Sequence, residues 1–190
     1  PAHYKAGLDF NPDSPALKFG RMAHTYILEP LMFREMYTPF DGDRRTKAGK
    51  EEYARILADG MEPTKLEDMV KLEGMSDACS AMFPAGHAEL SFHAELRGVM
   101  VQCRPDLITD DWQMYDLKTC QDISNVDRDF YNYGYHIQDY VYQTIIDKIA
   151  PRGIDIPPIK FVFVEKSPPY DCVVRVADPE IWKATGDMVD

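Results

Sequence analysis

The sequence predicts an α/β domain, a mixed central β-sheet flanked by α-helices. Three observations carry that expectation. A chain of 190 residues with 45% hydrophobic residues is long enough to bury one substantial core. The apolar spacing changes from about three and a half residues to two after Pro84 and Gly86. After a long helical stretch, the segment at 159–164 is nearly continuous in apolar residues, as a strand covered on both faces requires.

Taken in order, Ser14-Pro15 is a favoured N-cap and N1 pair, and Phe19, Met22, Ala23, Tyr26 and Ile27 follow at helical spacing until Pro30. His24 lies beside that stripe. A polar stretch over 41–50 leads into a second helix at 51–58, which Gly60 can terminate. Thr64-Lys65-Leu66-Glu67 reads as a capping box opening a third helix, with Leu66, Met69 and Val70 on its inner face. Ala88, Leu90 and Phe92 share one strand face, and Val99, Val101 and Cys103 share one face of the next strand. Thr109-Asp110-Asp111 is turn-like and 112–118 makes a third strand, so 88–118 reads as an antiparallel meander. One long helix is expected from Asp127, with Phe130, Tyr133, Ile137, Val141 and Ile145 along one side until Pro151 and Gly153. After the apolar strand, residues 166–170 turn into another strand that runs to Val176, and Asp178-Pro179-Glu180 starts a last helix. No internal repeat is visible.

Composition narrows the function classes. No run of eighteen apolar residues and no charged-then-apolar leader is present, so no membrane span or secretory signal is expected, and the chain reads as soluble and cytoplasmic. Cys79, Cys103, Cys120 and Cys172 are scattered without a C-x-x-C pair, which disfavours structural zinc and a disulfide framework. A formal net charge of -11 opposes broad phosphate binding, so any nucleic-acid contact rests on local patches or metal ions. The basic stretch at 43–50 reads as a solvated loop. Gly49-Lys50 lacks both the upstream glycine and the following Ser or Thr of a phosphate-binding loop.

The chemistry-bearing stretch is Arg104-Pro105-Asp106, a turn, and Tyr115-Asp116-Leu117-Lys118-Thr119. Alternation along a strand sends Asp116 and Lys118 one way and Leu117 the other. If the preceding strand pairs across the turn, Asp106 approaches them. Two converging carboxylates suit a hard divalent cation such as Mg²⁺, and a lysine beside them can orient a water or offset charge on a phosphoryl group. Spacing alone also admits a bland reading: turn aspartates, and an ordinary exposed Asp116–Lys118 pair.

Pro105-Asp106, nine residues, then Asp116-Leu117-Lys118-Thr119 resembles the PD-(D/E)XK nuclease signature, and its flanks resemble the exodeoxyribonuclease VIII nuclease domain, a relative of lambda-type exonuclease. Phe19-Gly20-Arg21-Met22-Ala23-His24 through Leu28-Glu29-Pro30 is similar to that family's early helix. Ala88-Glu89-Leu90-Ser91 matches its first strand, and Gln138 with Tyr142 its Gln-Tyr motif, one helical turn apart.

The resemblance implies a restriction-endonuclease-like core over residues 1–190 as a single domain trimmed at both ends, since Pro1-Ala2-His3-Tyr4 falls inside a family motif. It implies His24, Asp106 and Asp116 as metal ligands for Mg²⁺, with Mn²⁺ able to substitute. Lys118 would be the water-activating residue, Gln138 and Tyr142 would support the catalytic site, and Glu89 is a candidate helper. It further implies double-stranded DNA ends as substrate, degraded 5′ to 3′ in phage-type recombination, a single-strand annealing protein as partner, and a ring-shaped homo-oligomer. Two rivals stand beside it. An iron-sulfur nuclease of the CRISPR-adaptation type lacks its four cluster cysteines here. A non-catalytic DNA-end or protein-binding module would keep the fold without turnover.

Overall fold

The structure is a computed structural model that describes residues 14–189. Helix α1 (Pro15–Leu28) starts where the sequence places it, with the Ser14 side chain accepting from the Leu17 N–H at 3.3 Å. Pro30 does not simply stop it. That proline sits in the first turn of a short second helix, α2 (Pro30–Met36), where its missing N–H costs nothing. Strand β1 (Tyr37–Phe40) and helix α3 (Lys47–Ala58) follow. Helix α3 opens at Lys47, four residues before the predicted start, because the Thr46 hydroxyl caps the Gly49 N–H at 3.0 Å.

The expected capping box at Thr64 is overturned. Thr64 lies in β2 (Glu62–Lys65), pairs in parallel with Pro39 of β1, and is buried. Helix α4 (Leu66–Cys79) follows directly with no side-chain cap. Its inner face is Leu72, Met75 and Cys79, whereas Leu66 and Val70 are exposed.

The meander is also revised. Strand β3 (His87–Ala88) breaks at Glu89, whose φ of 54° takes it out of extended backbone. Strands β4 (Phe92–Leu96) and β5 (Val99–Cys103) form a separate hairpin, turned by Arg97 and Gly98, both at positive φ. The main sheet has the order β3, β6 (Leu107–Ile108), β7 (Met114–Cys120), β8 (Lys160–Glu165), β9 (Cys172–Arg175). Strands β7 and β8 are parallel and all other neighbours antiparallel, so the sheet is mixed as expected.

Two helices, not one, cross over between β7 and β8. Helix α5 (Val126–Asn132) ends at Tyr133, Gly134 adopts φ 73°, and α6 (Tyr135–Ile149) starts anew. The predicted stripe is therefore discontinuous: Phe130 and Ile145 are buried, but Tyr133 and Ile137 are exposed. Helix α7 (Pro179–Val189) closes the described chain.

Alternation along the central strands sorts the core into two layers. Met114, Phe161 and Phe163 pack with Val126, Phe130, Ile145 and Ile146 on the α5–α6 side. Tyr115, Leu117, Val162 and Val164 pack with Met22, Ala23, Leu72 and Met75 on the α1–α4 side. Phe161, Val162, Phe163 and Val164 are all buried, which is why their segment reads as unbroken apolar text. Among the described residues no helix is long and apolar enough to cross a membrane.

Candidate active site

The β6–β7 register pairs Leu107 with Tyr115 and Ile108 with Met114, so Asp106 continues it opposite Asp116. One Asp106 oxygen, Oδ2, accepts the Leu117 N–H at 2.6 Å and stands 3.2 Å from Nδ1 of His24 on α1. The strand edge and the first helix thus fix the same carboxylate. The break at Glu89 also serves the site: its N–H donates to the Asp106 carbonyl at 3.1 Å, and its carboxylate takes Arg104 Nε at 2.9 Å. One ligand atom each from His24, Glu89 and Asp106 lies within 4.8 Å of the others.

Asp116 and Lys118 lie on the face of β7 toward α6, one either side of Leu117. They form a buried ion pair through Asp116 Oδ1 and the Lys118 ammonium. That oxygen accepts no well-angled hydrogen bond among the described residues. The other oxygen, Oδ2, accepts from Gln138 Nε2 of α6 at 2.5 Å. The Lys118 ammonium also sits 4.8 Å from the ring centre of Tyr135. Tyr142, one turn beyond Gln138, donates its hydroxyl to the Arg104 carbonyl at 3.4 Å, so it steadies the segment before Asp106 and does not reach the carboxylates.

Electrostatics follow from burial and proximity. Burial disfavours the Asp106 carboxylate, yet the adjacent imidazole and ammonium and the Leu117 N–H outweigh it and hold Asp106 below the ordinary carboxylate range. Asp116 goes the other way, raised by burial and by Asp106 despite Lys118. Burial pulls Lys118 and His24 down, but the two aspartates prevail and raise both. Burial and Asp106 raise Glu89. Two carboxylates pushed apart and a lysine held protonated beside them form a graded charge set, and His24, Glu89, Asp106 and Lys118 line a groove of about 680 Å³ on the α1 side, with Leu17, Arg21, Met32 and Met36 also along it.

The sequence therefore brings together His24, Asp106, Asp116, Lys118 and Gln138, with Tyr142 one step back. Glu89 moves from candidate helper to part of the cluster. Missed altogether were the Arg104 contact with Glu89 and the Tyr135 ring under Lys118, neither of which leaves a spacing signal. The stretch at Pro1-Ala2-His3-Tyr4 lies outside the described residues.

Such a sheet, with an Asp-x-Lys strand beside a facing aspartate, defines a PD-(D/E)XK-type nuclease fold. The chain belongs to the DUF3799 family, described as a PDDEXK-like domain of unknown function, which matches residues 1–190. A crystal structure of a candidate exonuclease from Eubacterium rectale superposes with a TM-score of 0.67 at 17% identity, covering 98% of this chain and 68% of that one. At that identity the likeness speaks for the fold. Comparison with curated proteins finds no match.

Proposed function

We propose that the chain is a metal-dependent exodeoxyribonuclease that hydrolyses phosphodiesters of double-stranded DNA ends, 5′ to 3′, as in phage-type recombination. The observation that carries this reading is the convergence of His24, Glu89 and Asp106 within 4.8 Å beside the Asp116–Lys118 pair. One nitrogen and several carboxylate oxygens fit a hard divalent ion, Mg²⁺ with Mn²⁺ as substitute. His24, Glu89 and Asp106 would hold it, and Asp116 Oδ1, which lacks a well-angled hydrogen bond, offers a further donor. When bound, the ion supplies Lewis-acid polarisation of a phosphoryl oxygen.

The chain's own residues do the rest. Lys118, kept protonated by the aspartates, stabilises charge developing on the phosphoryl group and orients the attacking water. Gln138 holds Asp116 toward Lys118, and Tyr142 holds the Arg104 carbonyl. The finer assignment to the exodeoxyribonuclease VIII branch rests on the sequence resemblance, as do a ring-shaped homo-oligomer, a single-strand annealing partner and a cytoplasmic setting. A ring would concentrate the few cations at its channel while the acidic exterior faces away from DNA. The test is a Mg²⁺ digest of linear duplex labelled at either the 5′ or the 3′ end, with a covalently closed circle as control. Release of the 5′ label from linear DNA alone is expected; cleavage of the circle would show an endonuclease, and binding without cleavage would show a non-catalytic module.

A further inference from the structure

Beyond Lys118 the site does not end. A second cavity of about 300 Å³ opens past β7, and Thr119 and Tyr135 line both it and the groove that holds His24 and Asp106. We propose that this cavity is a nucleotide subsite, taking one deoxynucleoside 5′-phosphate unit of the strand being cut. The proposal rests on the nuclease reading for its part in cleavage, while its binding chemistry can be tested alone.

Size, aromatic surface and charge each point to that ligand. A volume near 300 Å³ is at the small end of ligand pockets and suits a single nucleotide. Tyr133 is 69% exposed although it is a large aromatic side chain, and its ring centre lies 6.0 Å from that of Tyr135. Tyr135 in turn stacks on Phe161 at 5.6 Å, so one ring of the pair is rigidly backed and the other stands free in solvent. An exposed ring beside a fixed one is the arrangement on which a base stacks, irrespective of its identity.

Two aspartates and two cations, Arg128 and Lys166, line the cavity, and they differ in how far each is already engaged. Asp122 is satisfied internally, accepting from the Ser124 N–H and hydroxyl and from Asn125. Asp129 is paired with Arg128 at 3.2 Å. Lys166, whose N–H is tied to the Cys120 carbonyl at 3.1 Å, carries an ammonium that enters no ion pair among the described residues. It is the cation left for a phosphate. The break at Gly134 explains how the surface arises: one continuous helix would carry 133 and 135 on nearly opposite faces, whereas the left-handed residue between them lets both rings meet.

The experiment measures binding of dAMP to the full chain in EDTA, with deoxyadenosine and inorganic phosphate as separate probes. Saturable dAMP binding, tighter than either fragment alone, is expected. Tyr133→Ala and Lys166→Gln should each weaken it about five-fold or more, in line with the loss of one stacking or one charged contact, with Lys148→Gln at the far end of α6 unchanged. Tyr133 is exposed and Lys166 half-buried, and neither belongs to the buried core, so folding is not at stake. Absence of saturable binding, wild-type affinity in either variant, or phosphate binding as tightly as dAMP would overturn the subsite. A parallel Mg²⁺ digest separates the two readings. Cleavage with KM unmoved by either variant and no inhibition by dAMP sinks the subsite and leaves the nuclease; dAMP binding lost in the variants of a chain that never cleaves sinks the nuclease and leaves the subsite.

Discussion

Replacing Gln138 with alanine removes the amide that donates to Asp116 Oδ2 at 2.5 Å. The acceptor is a carboxylate only 3% exposed, so the amide is its polar partner in place of bulk water. A hydrogen bond to a buried charged group contributes about 1.5–3 kcal/mol. A loss near 2 kcal/mol corresponds to a fall in Tm of roughly 4–8 °C for a chain of this size. The loss also has a pH signature. Burial and Asp106 already raise Asp116, and the Gln138 donor favours the ionised form, so removing it raises Asp116 further. The deficit is then largest where Asp116 is ionised and shrinks as pH falls through its raised pKa. Urea unfolding of Gln138→Ala, alone and with Asp116→Asn, reads the coupling, which should leave about 1 kcal/mol or less in the doubly changed chain. A single-variant deficit below about 0.5 kcal/mol, or one that Asp116→Asn leaves untouched, would refute the claim that Gln138 positions Asp116.

Three further outcomes follow from the same geometry. Asp139 is fully buried, accepts the Ile159 N–H at 2.7 Å, and is raised chiefly by burial. A carboxyl raised on folding loses stability as pH climbs from the ordinary carboxylate range through its folded value, so Asp139→Asn should match the wild type near pH 4 and gain on it toward neutrality in thermal melts. Gly49 sits where an added Cβ would lie 2.2 Å from the Asp43 carbonyl oxygen, so Gly49→Ala should cost about 1–3 kcal/mol in urea unfolding, against no change for Gly60→Asn at an open position of φ 77°. Glu89→Gln should weaken Mn²⁺ binding in calorimetry by at least about ten-fold; an unchanged affinity would remove Glu89 from the cluster.

Much of the site was legible because it depends on alternation. Asp116 and Lys118 share a face whatever the rest of the chain does, and a tight turn between 106 and 116 brings Asp106 opposite. The apolar segment ending at Val164 announced a strand covered twice, and Ser14-Pro15 announced a helix start. What failed were features decided by partners distant in sequence. Thr64 has the local chemistry of a cap, but pairing with Pro39 claims it for a strand. Pro30 does end the first helix as read, and what went unread is the short helix it begins, whose Phe33 is buried. Gly134 interrupts a run that is helical in composition on both sides, and the exposed Tyr133 results from that break. Glu89 looked like an outward strand residue, since its positive φ and its bond to the Asp106 carbonyl follow only once β6 is in place.

The central claim is that His24, Glu89, Asp106, Asp116 and Lys118 form one metal-dependent phosphodiesterase centre. Its most direct test is single-turnover cleavage of end-labelled linear duplex by the wild type with Mg²⁺, by the wild type with EDTA, and by Lys118→Ala with Mg²⁺. Release of nucleotides only in the first reaction, with a rate loss of at least about 10²-fold on removing the lysine, is the expected result. Cleavage that persists in EDTA, or a Lys118→Ala chain as fast as the wild type, would contradict it.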